Sequence, residues 1–143
     1  MTTTFRARLA QWDRDEATLR AIRHEVFVVE QHVPAALEWD GLDAACLHAI
    51  AEDATGQPIG CGRLLPDGHI GRMAVRARWR GQGVGARLLE RLIEAARSRG
   101  DRVLMLNAQV HAMPFYARHG FSPVGDPFEE AGIPHQAMAR RLD

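Results

Sequence analysis

The spacing of hydrophobic residues changes along the chain, and each spacing predicts a different kind of element. Residues 5–10 alternate between apolar and polar side chains, which predicts a first β-strand. From Asp13 to about Val29 the apolar residues recur at the period of an α-helix, with Asp13 as a predicted N-cap and Glu16 completing a capping box. Residues 30–45 contain a proline and several acids and are predicted to be irregular.

The middle of the chain predicts an antiparallel meander that leads into a βαβ unit. Strands are predicted at 46–52, 59–65 and 69–75. A helical period then runs from Val84 to Gly100, a natural residue to end a helix, and a short apolar strand follows at 102–106. A strand, a helix and a strand in this order imply a parallel crossover.

The C-terminal part predicts a short helix and a closing pair of strands. The helix spans about 112–119, and strands are expected at 121–124 and 136–142, joined by a loop rich in glycine, proline and acids. The chain has 143 residues, of which 46% are hydrophobic and 25% charged, as in an ordinary globular domain. The predicted class is therefore α/β, in a single domain over residues 1–143.

Features that report on location predict a cytoplasmic protein without a membrane partner. No stretch approaches the ~18 uninterrupted apolar residues of a membrane span, and the charged N-terminal segment lacks the apolar core of a signal peptide. Cys46 and Cys61 form no C-x-x-C pair and lie in predicted buried strands, so both are expected to be reduced core residues. No spacing of cysteine and histidine matches a metal site, and none is predicted.

Basic and acidic residues balance overall but are segregated along the chain. Residues 72–102 hold nine arginines and three acids, whereas residues 1–71 hold six arginines and eleven acids. The basic segment predicts either a docking place for an anionic ligand or an arginine-rich solvated helix face. The neutral balance, without a basic recognition helix or aromatic stacking motif, argues against a nucleic-acid partner.

A glycine-rich stretch lies between the predicted strand 69–75 and the helix that follows it. It consists of Arg80, Gly81, Gln82, Gly83, Val84, Gly85 and Ala86. Three glycines in five residues leave backbone N–H groups unshielded, and the helix N-terminus adds free donors and a partial positive charge at the same place. The arginine adds a charged donor that can form two parallel hydrogen bonds. The stretch therefore predicts an anion site, with phosphate as the natural anion.

Four kinds of structure contain stretches of this type. A dinucleotide-binding turn would follow its strand directly, but residues 76–80 intervene, and Asp101 falls before the next strand rather than at its end. A Walker loop requires a lysine, which this chain lacks. The pyrophosphate loop of an acyl-CoA-dependent acetyltransferase and a plain glycine-rich helix cap remain as alternatives.

The residues around this stretch resemble the Gcn5-related N-acetyltransferase (GNAT) family. The family motif Arg/Gln-x-x-Gly-x-Gly/Ala is met by Arg80, Gly83 and Gly85. Tyr116 stands four residues before the pair Gly120-Phe121, as a tyrosine does in the family. Two further stretches, RHEVFVVEQHVP and FEEAGIPHQAM, resemble a bacterial branch, the ElaA-like proteins.

The resemblance implies a fold and a cosubstrate. The GNAT fold is a mixed, mostly antiparallel twisted sheet flanked by helices, which splays open between its fourth and fifth strands, here 69–75 and 102–106. Acetyl-CoA is the implied cosubstrate, with its pantetheine arm in the opening and its pyrophosphate on residues 80–86. The other residues implied to bind it are Met73, Ala74, Val75, Asn107 and Gln109. Glutamine at 109 departs from the asparagine that is common in the family, and the asparagine at 107 could compete for that role.

The resemblance also implies that a neutral amine attacks the thioester directly and that Tyr116 acts as general acid on the departing thiolate. The general base is left open among Glu30, Glu38, Glu130, His111 and His135, each of which also has a purely structural explanation. Of these, Glu30, Glu38, Glu130 and His135 are the candidate acceptor contacts. Glu38 with Asp40 and Asp43 could attract a cationic amine or form a solvated acidic loop.

The predicted function is acetyl-CoA-dependent N-acetyltransfer to a primary amine of a small molecule or a protein. The rival is a non-catalytic acyl-CoA-binding or assembly module on the same fold, because a fold does not dictate a function. A homodimer is a common assembly in the family and is left open for this chain.

Overall fold

The structure is a computed structural model that describes residues 4–142. Residues 1–3 and 143, the ends of the predicted domain, lie outside the described residues. The strands are β1 (Phe5–Ala10), β2 (Leu47–Asp53), β3 (Pro58–Leu64), β4 (His69–Val75), β5 (Val103–Gln109), β6 (Ser122–Pro123), β7 (Phe128–Glu130) and β8 (Ile133–Arg141). The helices are α1 (Trp12–Arg23), α2 (Ala35–Glu38), α3 (Val84–Arg99) and α4 (Met113–Arg118).

All eight strands belong to one sheet, in the order β1-β2-β3-β4-β5-β8-β6, with β7 paired to β8. The β4–β5 pair is parallel and the other pairs are antiparallel, which confirms the predicted mixed sheet. The parallel pair is in register at His69 with Met105 and at Ile70 with Leu106. Beyond these positions the two strands diverge, so the predicted opening between the fourth and fifth strands is confirmed.

A bulge in β4 accompanies the opening. Cys61 of β3 pairs with Ala74, whereas Arg63 pairs with Gly71, so β4 has one more residue than β3 between these two pairs. Arg72, within the bulge, has a φ of 50°, which is uncommon for a residue other than glycine. A bulge bends its strand and increases the local twist, which turns the end of β4 away from β5.

Helices cover the two faces of the sheet with separate apolar cores. On one face, α3 buries a stripe that includes Leu88, Leu89 and Leu92 against the sheet. On the other face, α1 buries Leu19 and Ile22 against β2, β3 and β4. The helix α3 ends as predicted, with Gly100 in the left-handed conformation.

The first helix differs from its prediction at both ends. It begins at Trp12 with Gln11 as N-cap and no side-chain cap, so the capping box predicted for Asp13 and Glu16 is wrong. The carboxylate of Asp15 instead accepts the N–H of Gln11 at 3.0 Å. The α-helix ends at Arg23 and continues as a π-helical segment, His24–Glu30, where each turn is one residue wider.

Long-range pairing also adds structure that local composition did not predict. The connection 30–45 contains the short helix α2 and a 3₁₀ turn at Asp43–Ala45. The loop predicted before the last strand contains β7, and β8 begins at Ile133 rather than at residue 136. The strand predicted at 102–106 extends to Gln109 because β8 pairs along its full length. Hydrogen bonding to a distant strand outweighed the weak local preference of these residues.

Candidate active site

A cleft of about 1110 Å³ lies where β4 and β5 separate. It is lined by the ends of both strands, the glycine-rich stretch, the end of the π-helical segment, α4, and the hairpin of β7 and β8. The tertiary structure therefore brings most of the residues predicted for the site into one cleft, although they are spread over more than a hundred positions of the chain.

The glycine-rich stretch forms an open cradle at the N-terminus of α3. Gly81 and Gly83 have φ values of 76° and 86°, in the left-handed region that glycine adopts without steric cost. Gly83 is the N-cap of α3, and no side chain caps the helix. A Cβ atom at either glycine would meet no other atom within 4 Å. The N–H donors and the positive end of the helix dipole are thus open to an anion, and this part of the site fits a pyrophosphate.

Arg80 lies beside this cradle and is held by two elements. Its Nη1 and Nη2 atoms donate to the two carboxylate oxygens of Glu30 at 2.6 Å and 2.8 Å, and its Nε atom donates to the carbonyl of Val75 at 2.9 Å. These hydrogen bonds lower the pKa of Glu30 and raise the pKa of Arg80. Glu30 was predicted to contact the acceptor, but in the structure its carboxylate lies on the arginine of the cradle.

The end of β4 presents backbone groups to the opening. The N–H of Arg76 bonds to the carbonyl of Ile59 on β3 at 2.9 Å. Because backbone groups of successive residues in a strand point to opposite sides, the carbonyl of Val75 points away from β3, toward β5. Met73 and Val75 pack against the core of α3, whereas Ala74 packs against the core of α1. Residues 73–75 therefore form a strand edge that β5 does not pair, and the carbonyl of Val75 on this edge accepts from Nε of Arg80 at 2.9 Å.

Across the opening, β5 places two amides on one face. Leu106 and Ala108 are buried in the core of α3, so Asn107 and Gln109 lie on the opposite face, toward α1. Gln109 forms a reciprocal amide pair with Gln31: its Nε2 donates at 2.9 Å, and it accepts from Gln31 at 3.4 Å. Gln31 was absent from the sequence predictions because its partner is 78 residues away.

Tyr116 lies on α4. Its ring makes T-shaped contacts with the rings of Phe115 and Phe121, at centroid distances of 5.0 Å and 6.1 Å. The residue lines the cleft together with the glycine-rich stretch. Burial raises the pKa of its phenol to about 12. The phenol therefore stays protonated at neutral pH and is a proton and hydrogen-bond donor at this place.

His135 is a second group with the chemistry of proton transfer in the cleft. It is buried, with Nδ1 2.7 Å from the carbonyl of Ile133 and its ring stacked on Phe128. A carbonyl only accepts, so Nδ1 carries a proton and Nε2 is the basic nitrogen of the neutral ring. Glu130 lies 3.6 Å from this nitrogen. Gln82, predicted to bind the cosubstrate, does not line the cleft. Its side-chain amide donates to the carbonyl of Arg78 at 3.0 Å.

Two of the three acidic residues predicted either to attract an amine or to form a solvated loop are buried. These are Glu38 and Asp43, whereas Asp40 is exposed, with 27% of its side chain accessible. Each carboxylate contacts guanidinium groups from other elements within 3.3 Å. The network consists of Arg23, Arg63 and Arg72 with Glu38, Asp40 and Asp43. Three positive charges balance three negative ones, so the network carries no excess negative charge to attract a cation.

Ion pairing in this network lowers the pKa of the carboxyl groups of Asp40 and Asp43. Hydrogen bonds from Arg63 lower the pKa of Asp40 to about 2. Burial alone would raise the pKa of Asp43, but the hydrogen bonds and charges of Arg23 and Arg63 lower it. The sequence predictions missed these arginines. A signal was present, since Arg63 stands among apolar residues in a strand predicted to be buried.

His111 lies on the cleft wall and is exposed. Cys46 and Cys61 are buried and unpaired, as predicted. Within residues 4–142, no cluster of three or more histidine, cysteine or acidic side chains has an arrangement that could hold a metal ion. The described part of the chain also contains no helix with the length and apolarity needed to cross a membrane.

Comparison with known proteins identifies the family. A family model of the acetyltransferase (GNAT) domain matches residues 11–142. The uncharacterized N-acetyltransferase YjcF of Bacillus subtilis is 39% identical over 123 residues, which cover 83% of this chain and 87% of YjcF.

Two crystal structures extend the likeness to three dimensions. An acyl-CoA N-acyltransferase from Pseudomonas aeruginosa has a TM-score of 0.84 at 35% identity, covering 96% of this chain and 99% of its own. Escherichia coli ElaA has a TM-score of 0.85 at 30% identity, covering 96% of this chain and 100% of its own. With the open β4–β5 gap and the anion cradle already described, the chain belongs to the GNAT family, in its ElaA-like branch, and is an acyltransferase.

Proposed function

We propose that this protein transfers an acetyl group from acetyl-CoA to a primary amine of a small molecule or a protein, by direct attack of the amine on the thioester. The observation that carries the proposal is that one cleft joins an open anion cradle, a strand edge without a partner strand and a half-buried, protonated phenol. These are the groups needed to bind a pyrophosphate, an extended amide-bearing arm and a leaving thiolate.

Binding of acetyl-CoA is assigned to residues on both sides of the opening between β4 and β5. The backbone N–H groups of residues 81–86 and the guanidinium of Arg80 hold the pyrophosphate. The edge of β4 at Met73, Ala74 and Val75 has no pairing with β5, so it can pair with the amides of the pantetheine arm when Nε of Arg80 shares or releases the carbonyl of Val75. Asn107 and Gln109 offer side-chain amides from the facing strand.

Proton transfer is assigned to two residues of the cleft. Acetyl-CoA supplies the acetyl group and a thiolate leaving group. The lone pair on Nε2 of His135 removes a proton from the ammonium form of the acceptor, so that the nitrogen can attack. As the new C–N bond forms and the C–S bond breaks, the phenol of Tyr116 gives its proton to the sulfur, and the nitrogen, now cationic, returns one proton to the tyrosinate and becomes the amide. Glu130 stabilises the imidazolium that His135 becomes, since its carboxylate lies 3.6 Å from Nε2.

The domain, location and acceptor complete the proposal. One domain spans residues 1–143, and the family model covers most of it. Two buried, unpaired cysteines fit the reducing cytoplasm. The acceptor is a primary amine, and the cleft extends past His135 toward α2, where an amine can enter.

The test combines calorimetry with a turnover assay. Wild-type protein titrated with acetyl-CoA should bind it, and Arg80→Ala should weaken binding. An amine panel with thiol release as readout should then find an acceptor. Binding without release on small amines or protein lysines would favour the rival, a non-catalytic acyl-CoA-binding module. Absence of binding would refute the assignment of residues 73–86.

A further inference from the structure

Two consecutive residues at the end of the π-helical segment contact both sides of the opening, the side of β4 and the side of β5. Glu30 contacts Arg80, which follows β4, and Gln31 contacts Gln109, at the end of β5. Both partners are side chains assigned above to the binding of acyl-CoA. We propose that Glu30 and Gln31 form a clasp that competes with acyl-CoA for Arg80 and Gln109, and so lowers the affinity for acyl-CoA. The inference rests on the proposed function.

The contact of Glu30 imitates the ligand that Arg80 is expected to bind. A carboxylate and a phosphate both present two oxygens to the paired N–H groups of a guanidinium. In the structure both Nη atoms donate to Glu30, and Nε donates to Val75. The negative charge of the carboxylate also opposes a second anion at the same guanidinium. A pyrophosphate must therefore displace Glu30 or bind to an arginine whose charge is already neutralised.

The contact of Gln31 occupies a side chain on the other side of the opening, at the end of β5. The amide groups of Gln31 and Gln109 satisfy each other as donor and acceptor, at 2.9 Å and 3.4 Å. A pantetheine amide that bonds to Gln109 takes the place of one or both of these hydrogen bonds. The two contacts of the clasp thus correspond to two chemically different parts of the same ligand.

The backbone after the clasp has an uncommon conformation. His32 has a φ of 61°, in the left-handed region that few residues other than glycine adopt. A π-helical segment precedes it, and such segments are frequent at functional sites. The side chains of the Glu30–Arg80 pair are about two-fifths exposed, so solvent weakens the bond that holds the clasp.

The experiment compares Glu30→Gln with Glu25→Gln by titration calorimetry against CoA. Glu25 is a matched control, because it belongs to the same segment and lies 3.7 Å from Arg76 instead of Arg80. We expect Glu30→Gln to bind CoA about two- to fivefold more tightly than wild type, the range for an exposed ion pair, and Glu25→Gln to match wild type.

Pantetheine separates the two contacts, because it lacks the pyrophosphate. Glu30→Gln should leave pantetheine affinity unchanged, whereas Gln31→Ala should raise the affinity for pantetheine and CoA alike. Equal or weaker CoA binding by Glu30→Gln, with an unchanged melting temperature, would overturn the clasp and make Glu30 a residue that positions Arg80. A wild-type protein that does not bind CoA would overturn the proposed function and the clasp together.

Discussion

His135 on β8 stands directly opposite Gln109 on β5, at the point where β5 borders the opening of the sheet. Directly opposed residues of an antiparallel pair project to the same face, so the imidazole and the amide share the wall of the cleft. The contact between Nδ1 and the carbonyl of Ile133, 2.7 Å long, orients the ring. This relationship places the basic nitrogen of His135 beside the residues assigned to the cosubstrate.

Replacement of His135 tests the assignment of the general base. His135→Gln should lower kcat by about 10²- to 10⁴-fold and leave the affinity for CoA unchanged, because the base acts on the acceptor. His111→Gln, a change at the exposed histidine of the same cleft, is the control and should keep the wild-type kcat. A His135→Gln variant with the wild-type kcat would exclude His135 as the base.

Replacement of Tyr116 by phenylalanine tests the general acid and separates the enzyme from its rival. The variant removes one hydroxyl and keeps the aromatic packing on Phe115 and Phe121. We expect CoA affinity within about twofold of wild type and a kcat reduced by about 10²-fold or more, measured by thiol release. Because burial raises the pKa of Tyr116 to about 12, the phenol is protonated below that pH. Wild-type turnover should therefore show no loss from ionisation of Tyr116 up to pH ~10. Equal turnover by variant and wild type would remove Tyr116 from the mechanism.

Valine at Gly83 tests the anion cradle. Gly83 and Gly100 are at opposite ends of α3, both have positive φ, and a Cβ at either would meet no atom within 4 Å. Gly83→Val and Gly100→Val should therefore lose similar stability, on the order of 1–2 kcal/mol, by chemical denaturation. Gly83→Val alone should weaken CoA binding, by about tenfold or more, because its side chain occupies space needed by the pyrophosphate. Similar CoA affinities in the two variants would show that the glycine at position 83 serves only the helix cap.

Replacement of Arg23 tests the buried ion network. Its guanidinium contacts Glu38 at 2.9 Å and Asp43 at 2.7 Å, and its side chain is 1% exposed. Arg23→Met leaves two buried carboxylates short of a partner, so we expect the free energy of unfolding to fall by about 3–5 kcal/mol. Arg20→Met is the control on the same helix: its exposed ion pair with Glu16 should contribute less than about 1 kcal/mol. Urea denaturation measures both changes. A loss below about 1 kcal/mol for Arg23→Met would show that the buried carboxylates do not depend on the charge of this arginine.

Much of the fold could be predicted from the sequence where the signal is local. The alternation of residues 5–10, the helical stripe after Val84 and the glycine at position 100 each reflect backbone conformation and the burial of one face. The open cradle at the N-terminus of α3 was predictable for the same reason, because glycines and a helix N-terminus create it within a few residues. These features depend on neighbours close in the chain, which the sequence displays directly.

The tertiary structure alone decided which charged and polar side chains meet. Glu30 was predicted to touch the acceptor, yet it pairs with Arg80, 50 residues away. Glu38 resembled part of a solvated loop, yet it is buried against Arg23. An acid in a connection has the same local pattern whether water or a distant guanidinium solvates it. Its partner is fixed only when strands and helices pack, because the cost of burying a charge is offset by a group brought from elsewhere in the chain.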